Sequence, residues 1–316
     1  MDCLSYDFLD KVLTNLDHHT IRELHLCELQ SLLWNDVARL YQTQVQPLQL
    51  VLAASPNRLS CSFSNYSSET EGVNYTFDQM RKLDPRFKRV LRFVAGESNS
   101  PYYWNPTDHN YELSMEQIPE MIHLLCHHPV ADITVNLHDK FAKIRNLIIA
   151  AFEKHIINME LYRLDLLYSA ESMNFLRISL QQDSLEQLTM KGHWPPDFKE
   201  DLLAFVQRPR FSTLTSWSTQ LFDIDDIKLI IALRKNVENP GHYCQFRLKT
   251  DCDFSDAFVS WKLIETTLTG AKTYEDHYKK LAMNVRCESG RLVLTLDEEV
   301  DDFEKYFLNR SRRSLC

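Results

Sequence analysis

The alternation of apolar and polar positions is clearest between residues 184 and 217, where two short apolar runs flank one amphipathic segment. The runs, residues 185–190 and 211–217, have the apolar spacing of strands. Between them, the pair Pro195-Pro196 suits the first turn of a helix, which we predict over about residues 196–207. One strand–helix–strand unit of this size cannot bury its own apolar face, so we expect neighbouring copies of it.

The same alternation of helix and strand extends from about residue 114 to residue 248. The predicted helices are 114–126, 140–155, 171–180, 196–207 and 224–234, and the predicted strands are 131–137, 161–167, 185–190, 212–216 and 243–248. The strands recur about every 24 to 32 residues, the period of an α/β solenoid of the leucine-rich-repeat type. A layered α/β fold with a parallel sheet is the competing architecture. Residues 281–296 predict a hairpin that caps the sheet edge.

The first third of the chain has two other patterns. Residues 1–46 predict a compact bundle of about three short helices, with apolar residues on more than one face. After Pro47 the period becomes that of strands, predicted at 48–54, 61–66, 73–77 and 88–94. We therefore divide the chain into a helical bundle, residues 1–46, and an α/β repeat domain with a C-terminal hairpin cap, residues 47–316.

Composition narrows the classes of protein. Six glycines in 316 residues disfavour Gly-rich phosphate loops, and the formal net charge of -9 disfavours nucleic acid or an anionic membrane as the main partner. No apolar run approaches the roughly 18 to 20 residues needed to span a bilayer, and the N-terminus lacks the pattern of a signal peptide. We therefore expect an intracellular protein, cytoplasmic or nuclear. Eight cysteines without a Cys-x-x-Cys pair predict reduced thiols.

No sequence motif for catalysis is present. Zinc-protease, P-loop, nucleophile-elbow and kinase signatures are missing from the sequence, so we expect no catalytic residue, no cofactor and no enzyme activity. His123 and His127 have the spacing of a shared metal ligand pair, but no motif supplies a third ligand, so we expect no metal site.

The aromatic residues of the polar loop, residues 96–111, are the candidate target anchors. Tyr102, Tyr103 and Trp104 lie in a polar loop, where packing of a folded core does not obviously require aromatic side chains. Exposed aromatic side chains are typical binding anchors. The alternative is that they pack against the sheet as a plug, and the sequence leaves both open.

The N-terminal bundle carries a pattern of apolar residues that resembles a known family. The resemblance rests on an early leucine, an apolar pair, a leucine ending the first helix and a late tryptophan. The matching residues are Leu4, Phe8, Leu9, Val12, Leu16 and Trp34, and Ser5 stands where the F-box pattern has proline. Together with residues 184–195 and 203–211, this makes the chain similar to the nematode family of F-box-like proteins with a degenerate leucine-rich-repeat-like region.

The resemblance implies a substrate receptor of a cullin-type (SCF) ubiquitin ligase. The bundle would bind a Skp-type adaptor, through which a cullin is recruited, and the repeat region would bind an unidentified target protein. The six residues of the F-box match would form or support the adaptor surface. The alternative is an interaction module whose bundle only caps the solenoid and binds no adaptor.

Overall fold

The protein, seen in a computed structural model, forms two compact units, residues 1–184 and 185–316. The structure describes residues 5–14, 32–56, 58–65, 74–84, 88–97, 111–126, 130–218, 221–237, 243–249, 258, 262–266, 272–278, 281–288 and 291–298. The boundary expected between residues 46 and 47 therefore lies inside the first unit. The second predicted segment of the bundle, residues 21–29, lies outside the described residues.

The first unit combines two N-terminal helices with a sheet and further helices. Its elements are α1 (Tyr6–Thr14), α2 (Leu32–Gln44), β1 (Gln46–Ser55), β2 (Arg58–Asn65), β3 (Asn74–Tyr75), α3 (Phe77–Lys82), β4 (Lys88–Glu97), β5 (Tyr111–Glu112), α4 (Gln117–Leu125), β6 (Asp132–Asn136), α5 (Ala142–Glu153), β7 (Arg163–Leu167) and α6 (Ala170–Ser179). Single 3-10 turns precede α5 at Asp139–Phe141 and follow it at Ile156–Asn158.

The sheet of the first unit is mixed. Its strand order is β7-β6-β4-β1-β2-β3, with β5 also paired to β2. The strands β1, β4, β6 and β7 pair in parallel, whereas β2 pairs with β1, β3 and β5 antiparallel. The antiparallel part differs from the predicted repeat sheet, because a tight turn between Ser55 and Arg58 returns the chain as a hairpin.

One predicted strand ends earlier than expected. Of the expected strand 73–77, the described residues Asn74–Tyr75 form β3, and Phe77 already begins α3. The cause is a capping box at Thr76, whose hydroxyl accepts from the backbone of Gln79 while the Gln79 side chain accepts from the backbone of Thr76. These two hydrogen bonds satisfy backbone N–H groups at the start of the helix that would otherwise lack partners. They favour the helix over the strand that the apolar pattern predicts.

The helices α4, α5 and α6 follow one another along the first unit and carry its core. The Phe93 and Phe152 rings meet edge to face at 4.9 Å, and Phe152 lies 6.4 Å from Phe175. In β6 and β7 the three central residues of each strand are buried, on both faces of the sheet. Strands buried on both faces are typical of parallel sheets that are covered on both sides.

The second unit repeats the alternation and then ends in antiparallel strands. Its elements are β8 (Gln187–Lys191), α7 (Lys199–Val206), β9 (Thr213–Ser216), α8 (Ile224–Lys235), β10 (Tyr243–Lys249), β11 (Lys262–Thr266), β12 (Lys272–Tyr278), β13 (Leu281–Glu288) and β14 (Arg291–Glu298). A 3-10 turn, Pro196–Phe198, starts the helical segment where the proline pair predicts it. The strand order is β8-β9-β10-β14-β13-β12-β11.

The C-terminal hairpin is confirmed, but it does not end the sheet. β14 pairs antiparallel with β10, the last parallel strand, and β13 pairs with both β14 and β12. The sheet then continues to β11. The hairpin therefore covers the open edge of β10 and extends the sheet, which corrects the prediction of a terminal cap.

A buried arginine joins the two helices of the second unit. Arg234 of α8 is almost fully buried and donates from Nη1 to the carbonyl oxygens of Val206 and Arg208, at 3.0 and 2.9 Å. It also donates to Cys244 Sγ, and its guanidinium lies 5.4 Å from the Phe211 ring. These contacts bond to carbonyl oxygens at and just beyond the C-terminal end of α7, where the helix supplies no further backbone donors.

Both units are α/β with mixed sheets, so the α/β class predicted from the sequence is confirmed. Within the described residues, no helix has the length and apolar character that crossing a membrane requires.

Candidate functional site

One face of the sheet in the second unit is open. In β8 and β9, buried residues alternate with half-buried ones, and the same alternation continues along β10 and β14. The buried face includes Leu188, Leu214, Phe246 and Leu294. The opposite face therefore offers a polar surface to a binding partner.

The strand register places a continuous row of side chains on this open face. Thr189 pairs with Thr215, Thr215 with Arg247, Arg247 with Val293, and Val293 with Arg286. Arg247 and Arg286 therefore flank Val293 from the two neighbouring strands. A second pair, Lys249 and Arg291, lies two residues further along β10 and β14. These seven residues lie on five strands and come from distant parts of the sequence.

A groove of about 330 Å³ lies on this face at the carboxyl ends of β9 and β10. Its lining includes four cationic side chains, and none of its described lining residues is acidic. The cationic residues are Arg247, Lys249, Arg286 and Arg291. The groove is locally positive although the chain as a whole has a formal net charge of -9. A local cluster of four cations favours an anionic ligand.

Trp217 forms the aromatic edge of the groove. It follows β9 directly, and its backbone N–H donates to the Met190 carbonyl oxygen at 2.9 Å. Its side chain is 41% exposed, and the Arg291 guanidinium lies 5.1 Å from its ring. A half-exposed tryptophan stacked with arginine provides a rigid apolar contact beside the cations, a combination that is enriched at binding hot spots.

The predicted adaptor residues divide between a core and a surface. Leu9 is buried in a cluster whose described members come from α1, α2 and the residue that follows. The members of this helix-pair core are Leu9, Leu13, Val37, Ala38, Tyr41 and Val45. Val12 is half-buried, and Phe8 is 49% exposed. Leu9 therefore supports the bundle, and Phe8 is available to a partner.

The remaining predicted adaptor residues are less defined. Leu4 and Leu16 lie outside the described residues. Trp34 lies in α2, but its side chain is not among those that the structure describes. Two further apolar side chains of the helix pair are exposed, Tyr6 and Leu33. The Tyr41 hydroxyl fastens α2 to α1, because it bonds to the backbone carbonyl and to Oδ1 of Asp10 at 3.0 and 2.9 Å.

The predicted target anchors Tyr102, Tyr103 and Trp104 lie outside the described residues, so the structure does not place them. The groove was missed by sequence reasoning. The signal in the sequence is slight: Gln245, Arg247 and Lys249 alternate with buried residues along one predicted strand. Nothing in the sequence connects that strand with Arg286 and Arg291.

The other titrating groups of the described residues form local contacts. Glu97 bonds to Lys140 Nζ and His138 Nδ1, each at 2.6 Å. Burial alone would raise the pKa of Glu97, but the hydrogen bonds from Lys140 and His138 outweigh it, so the pKa is lowered. Burial raises the pKa of the Cys61 and Cys126 thiols to about 12. Among the described residues, no three His, Cys, Asp or Glu side chains cluster as metal ligands.

Comparisons with known proteins do not assign a family. No family model matches the chain, and no curated protein matches it. Among solved structures, the chain is similar to the MycE methyltransferase from the mycinamycin biosynthetic pathway in complex with Mg and SAH. The match covers 95% of this chain and 94% of that one at 10% identity, with a TM-score of 0.20.

This likeness requires one correction. The sequence predicts a protein that is not an enzyme, and the solved structure to which the chain is similar is an enzyme. The prediction is therefore withdrawn. A TM-score of 0.20 carries no argument in the other direction, so no methyl-transfer activity and no cofactor are assigned to this chain.

Proposed function

We propose that the protein is a substrate receptor of a cullin-type ubiquitin ligase. The α1–α2 pair would bind a Skp-type adaptor, and the open face of the second unit would bind a target protein. A receptor of this kind raises the effective concentration of the target near the conjugating enzyme.

The observation that carries the proposal is the helix pair. Among the described residues, its core consists of side chains from α1, α2 and the residue that follows, and it includes neither Phe8 nor Leu33. Phe8 and Leu33 are nevertheless 49% and 41% exposed. Exposed apolar side chains on a small, separately packed helix pair are suited to a protein interface.

The proposal also includes the finer description of the fold as degenerate leucine-rich-repeat-like. Its support is the strand order inside each unit. In the first unit β4, β6 and β7 are parallel neighbours in chain order, and in the second unit β8, β9 and β10 are the same. Each step between them from β6 onward contains a helix, as in an α/β solenoid.

The test is co-expression of the full chain with a Skp-type adaptor, followed by size-exclusion chromatography. The informative variant is Phe8→Asp with Leu33→Asp, because both side chains are exposed and their replacement leaves the helix-pair core intact. A matched control is Leu147→Asp with Leu229→Asp, two exposed leucines on α5 and α8. A Leu9→Asp variant would not serve, since Leu9 is buried and its loss would unfold the pair.

The expected result is a stoichiometric complex that the control retains and the Phe8, Leu33 variant loses, with unchanged circular dichroism in all three chains. A well-folded wild-type chain that forms no complex with the adaptor would overturn the adaptor half of the proposal.

The second candidate is an interaction module whose helix pair caps the first unit. The observation that favours it is the direct connection of α2 to β1 through the single buried residue Val45, which also belongs to the helix-pair core. However, β1 has a strand on each side, β2 and β4, so the pair has no open edge of β1 to cover. Failure of adaptor binding together with loss of stability on deleting residues 1–44 would favour this reading.

A further inference from the structure

The cations of the groove form two rows, and this arrangement indicates the chemistry of the ligand. We propose that the groove binds an extended acidic peptide segment with aspartate or glutamate at alternate positions. The inference rests on the proposed function in one respect, because such a segment would be the part of the target that the receptor recognises.

The spacing of the rows is fixed by the strand register. Arg247 and Arg286 stand on either side of Val293 in the first row, and Lys249 and Arg291 are paired in the second. Residues two apart along a strand lie about 6.6 Å from each other on the same face. The two rows therefore repeat at about the distance that separates alternate side chains of an extended peptide.

This spacing favours several single charges over one concentrated charge. Arg247 and Arg286 are two strands apart, roughly 10 Å between Cα atoms, and the second row lies a further step along the strands. A phosphate group concentrates its charge at one point, whereas carboxylates at alternate positions distribute theirs along the peptide. Side chains of Asp or Glu can also accept bidentate hydrogen bonds from the arginines.

The groove provides what such a segment needs besides charge. Val293 gives the first row an apolar floor, and half-exposed Trp217 gives the end of the groove an aromatic contact. Glu288 pairs with Arg291 in the register of β13 and β14, so the second row also has one acidic position. In the first row the register neighbours of Arg247 and Arg286 are Thr215, Val293 and Thr273, none of which is acidic.

The test is fluorescence anisotropy of the full-length chain with labelled peptides of about ten residues. The probe has glutamate at every second position with serine between, and its isomer has the same composition with all glutamates consecutive. Two further probes are a serine peptide with one phosphoserine and a single-stranded DNA of about ten nucleotides.

We expect the alternating peptide to bind at least about fivefold more tightly than its isomer and more tightly than the phosphoserine peptide or the DNA. Its binding should weaken with added salt, because the contacts are partly exposed charge pairs. Equal affinity for the two isomers, or tighter binding of the phosphoserine peptide or the DNA, would overturn the proposal.

The variant Arg247→Glu with Arg286→Glu should weaken binding by about tenfold or more, since each lost contact is a hydrogen bond to a charged group. The control Lys154→Glu with Arg210→Glu makes the same change in net charge at exposed sites outside the groove and should bind as wild type. Both groove residues are exposed, so the variant should fold. Equal loss in the variant and the control would also overturn the proposal.

The adaptor experiment separates the two failures. Loss of peptide binding in the groove variant with an intact adaptor complex would concern the groove alone. Failure to form the adaptor complex, with peptide binding retained, would leave the groove proposal standing and overturn the receptor function.

Discussion

The sheets of the two units are built from the same alternation of strands and helices, yet they differ in how deeply their second face is buried. In the first unit the central residues of β6 and β7 are buried on both faces. In the second unit β8 and β9 bury one face and leave the other half-buried. A sheet covered on both faces supplies stability, whereas a sheet with one open face supplies a binding surface.

The two sheets also differ in the charges that their strands carry. In the first unit Asp132 stands between Arg92 and Arg163 in adjacent strands, so the row contains both signs. In the second unit the comparable row has Arg247 and Arg286 with Val293 between them. The first row contains both signs of charge, whereas the second contains two cations and no acidic register position, which favours an anionic ligand.

The largest effect is expected from placing the same charge in each sheet. Val94 of β4 is buried in the first unit, and Val293 of β14 is half-buried between two arginines in the second. Val94→Asp should lower the free energy of unfolding by about 3 to 5 kcal/mol, because it buries an unpaired charge. Val293→Asp should lower it by less than about 1 kcal/mol, because arginines flank the new carboxylate.

Urea unfolding followed by circular dichroism measures both variants. Val293→Asp should also abolish binding of the alternating glutamate peptide. The new carboxylate would pair with Arg247 and Arg286 in place of the carboxylates of the peptide. Similar destabilisation by the two substitutions would contradict the distinction between a covered and an open face.

A smaller effect is expected inside the second unit at Arg234. Arg234→Met keeps an unbranched apolar stem but removes the guanidinium that donates to Val206, Arg208 and Cys244. The free energy of unfolding should fall by about 3 kcal/mol, since buried carbonyl oxygens lose charged partners. The exposed Arg210→Met is the control and should change it by less than about 0.5 kcal/mol. If the two variants are equally stable, Arg234 does not hold α7 and α8 together.

The smallest effect concerns the compensated row of the first unit. Burial raises the pKa of Asp132, and the nearby Arg163 and Arg92 only partly oppose this. Because the folded protein then binds the proton more tightly than the unfolded chain, this group removes stability as the pH rises from the unfolded pKa through the folded pKa. Asp132→Asn should therefore raise the free energy of unfolding at pH 7, by less than about 1 kcal/mol.

Chemical unfolding of the wild type and Asp132→Asn between pH 3 and pH 7 checks this sign. The wild type should lose stability relative to the variant as the pH rises. A variant that is less stable at pH 7 than at pH 3, relative to wild type, would mean that the arginines outweigh burial.

Local signals in the sequence predicted much of the fold. The proline pair at residues 195–196 marks the start of the helical segment before α7. At α8, Asp223 accepts from the backbone of Asp225 and Asp226, so the predicted start at residue 224 agrees with the observed cap. The parallel strands β6 to β10 fall close to their predicted ranges, because their apolar runs are buried as the pattern requires.

The antiparallel strands and the groove could not be predicted in the same way. The hairpin of β1 and β2 depends on a tight turn, and the pairing of β14 with β10 joins residues almost 50 positions apart in sequence. Such pairings depend on register and not on the local period. The cations of the groove come from β10, β13 and β14, so only the assembled sheet brings them together.

Hydrogen exchange of the full chain with and without the alternating glutamate peptide tests the central claim most directly. The predicted result is added protection confined to Thr213–Ser216, Tyr243–Lys249, Leu281–Glu288 and Arg291–Glu298, with no change in β6 or β7. Protection that appears instead in the strands of the first unit, or no added protection at a peptide concentration that saturates binding, would contradict the claim that the open face of the second unit is the binding surface.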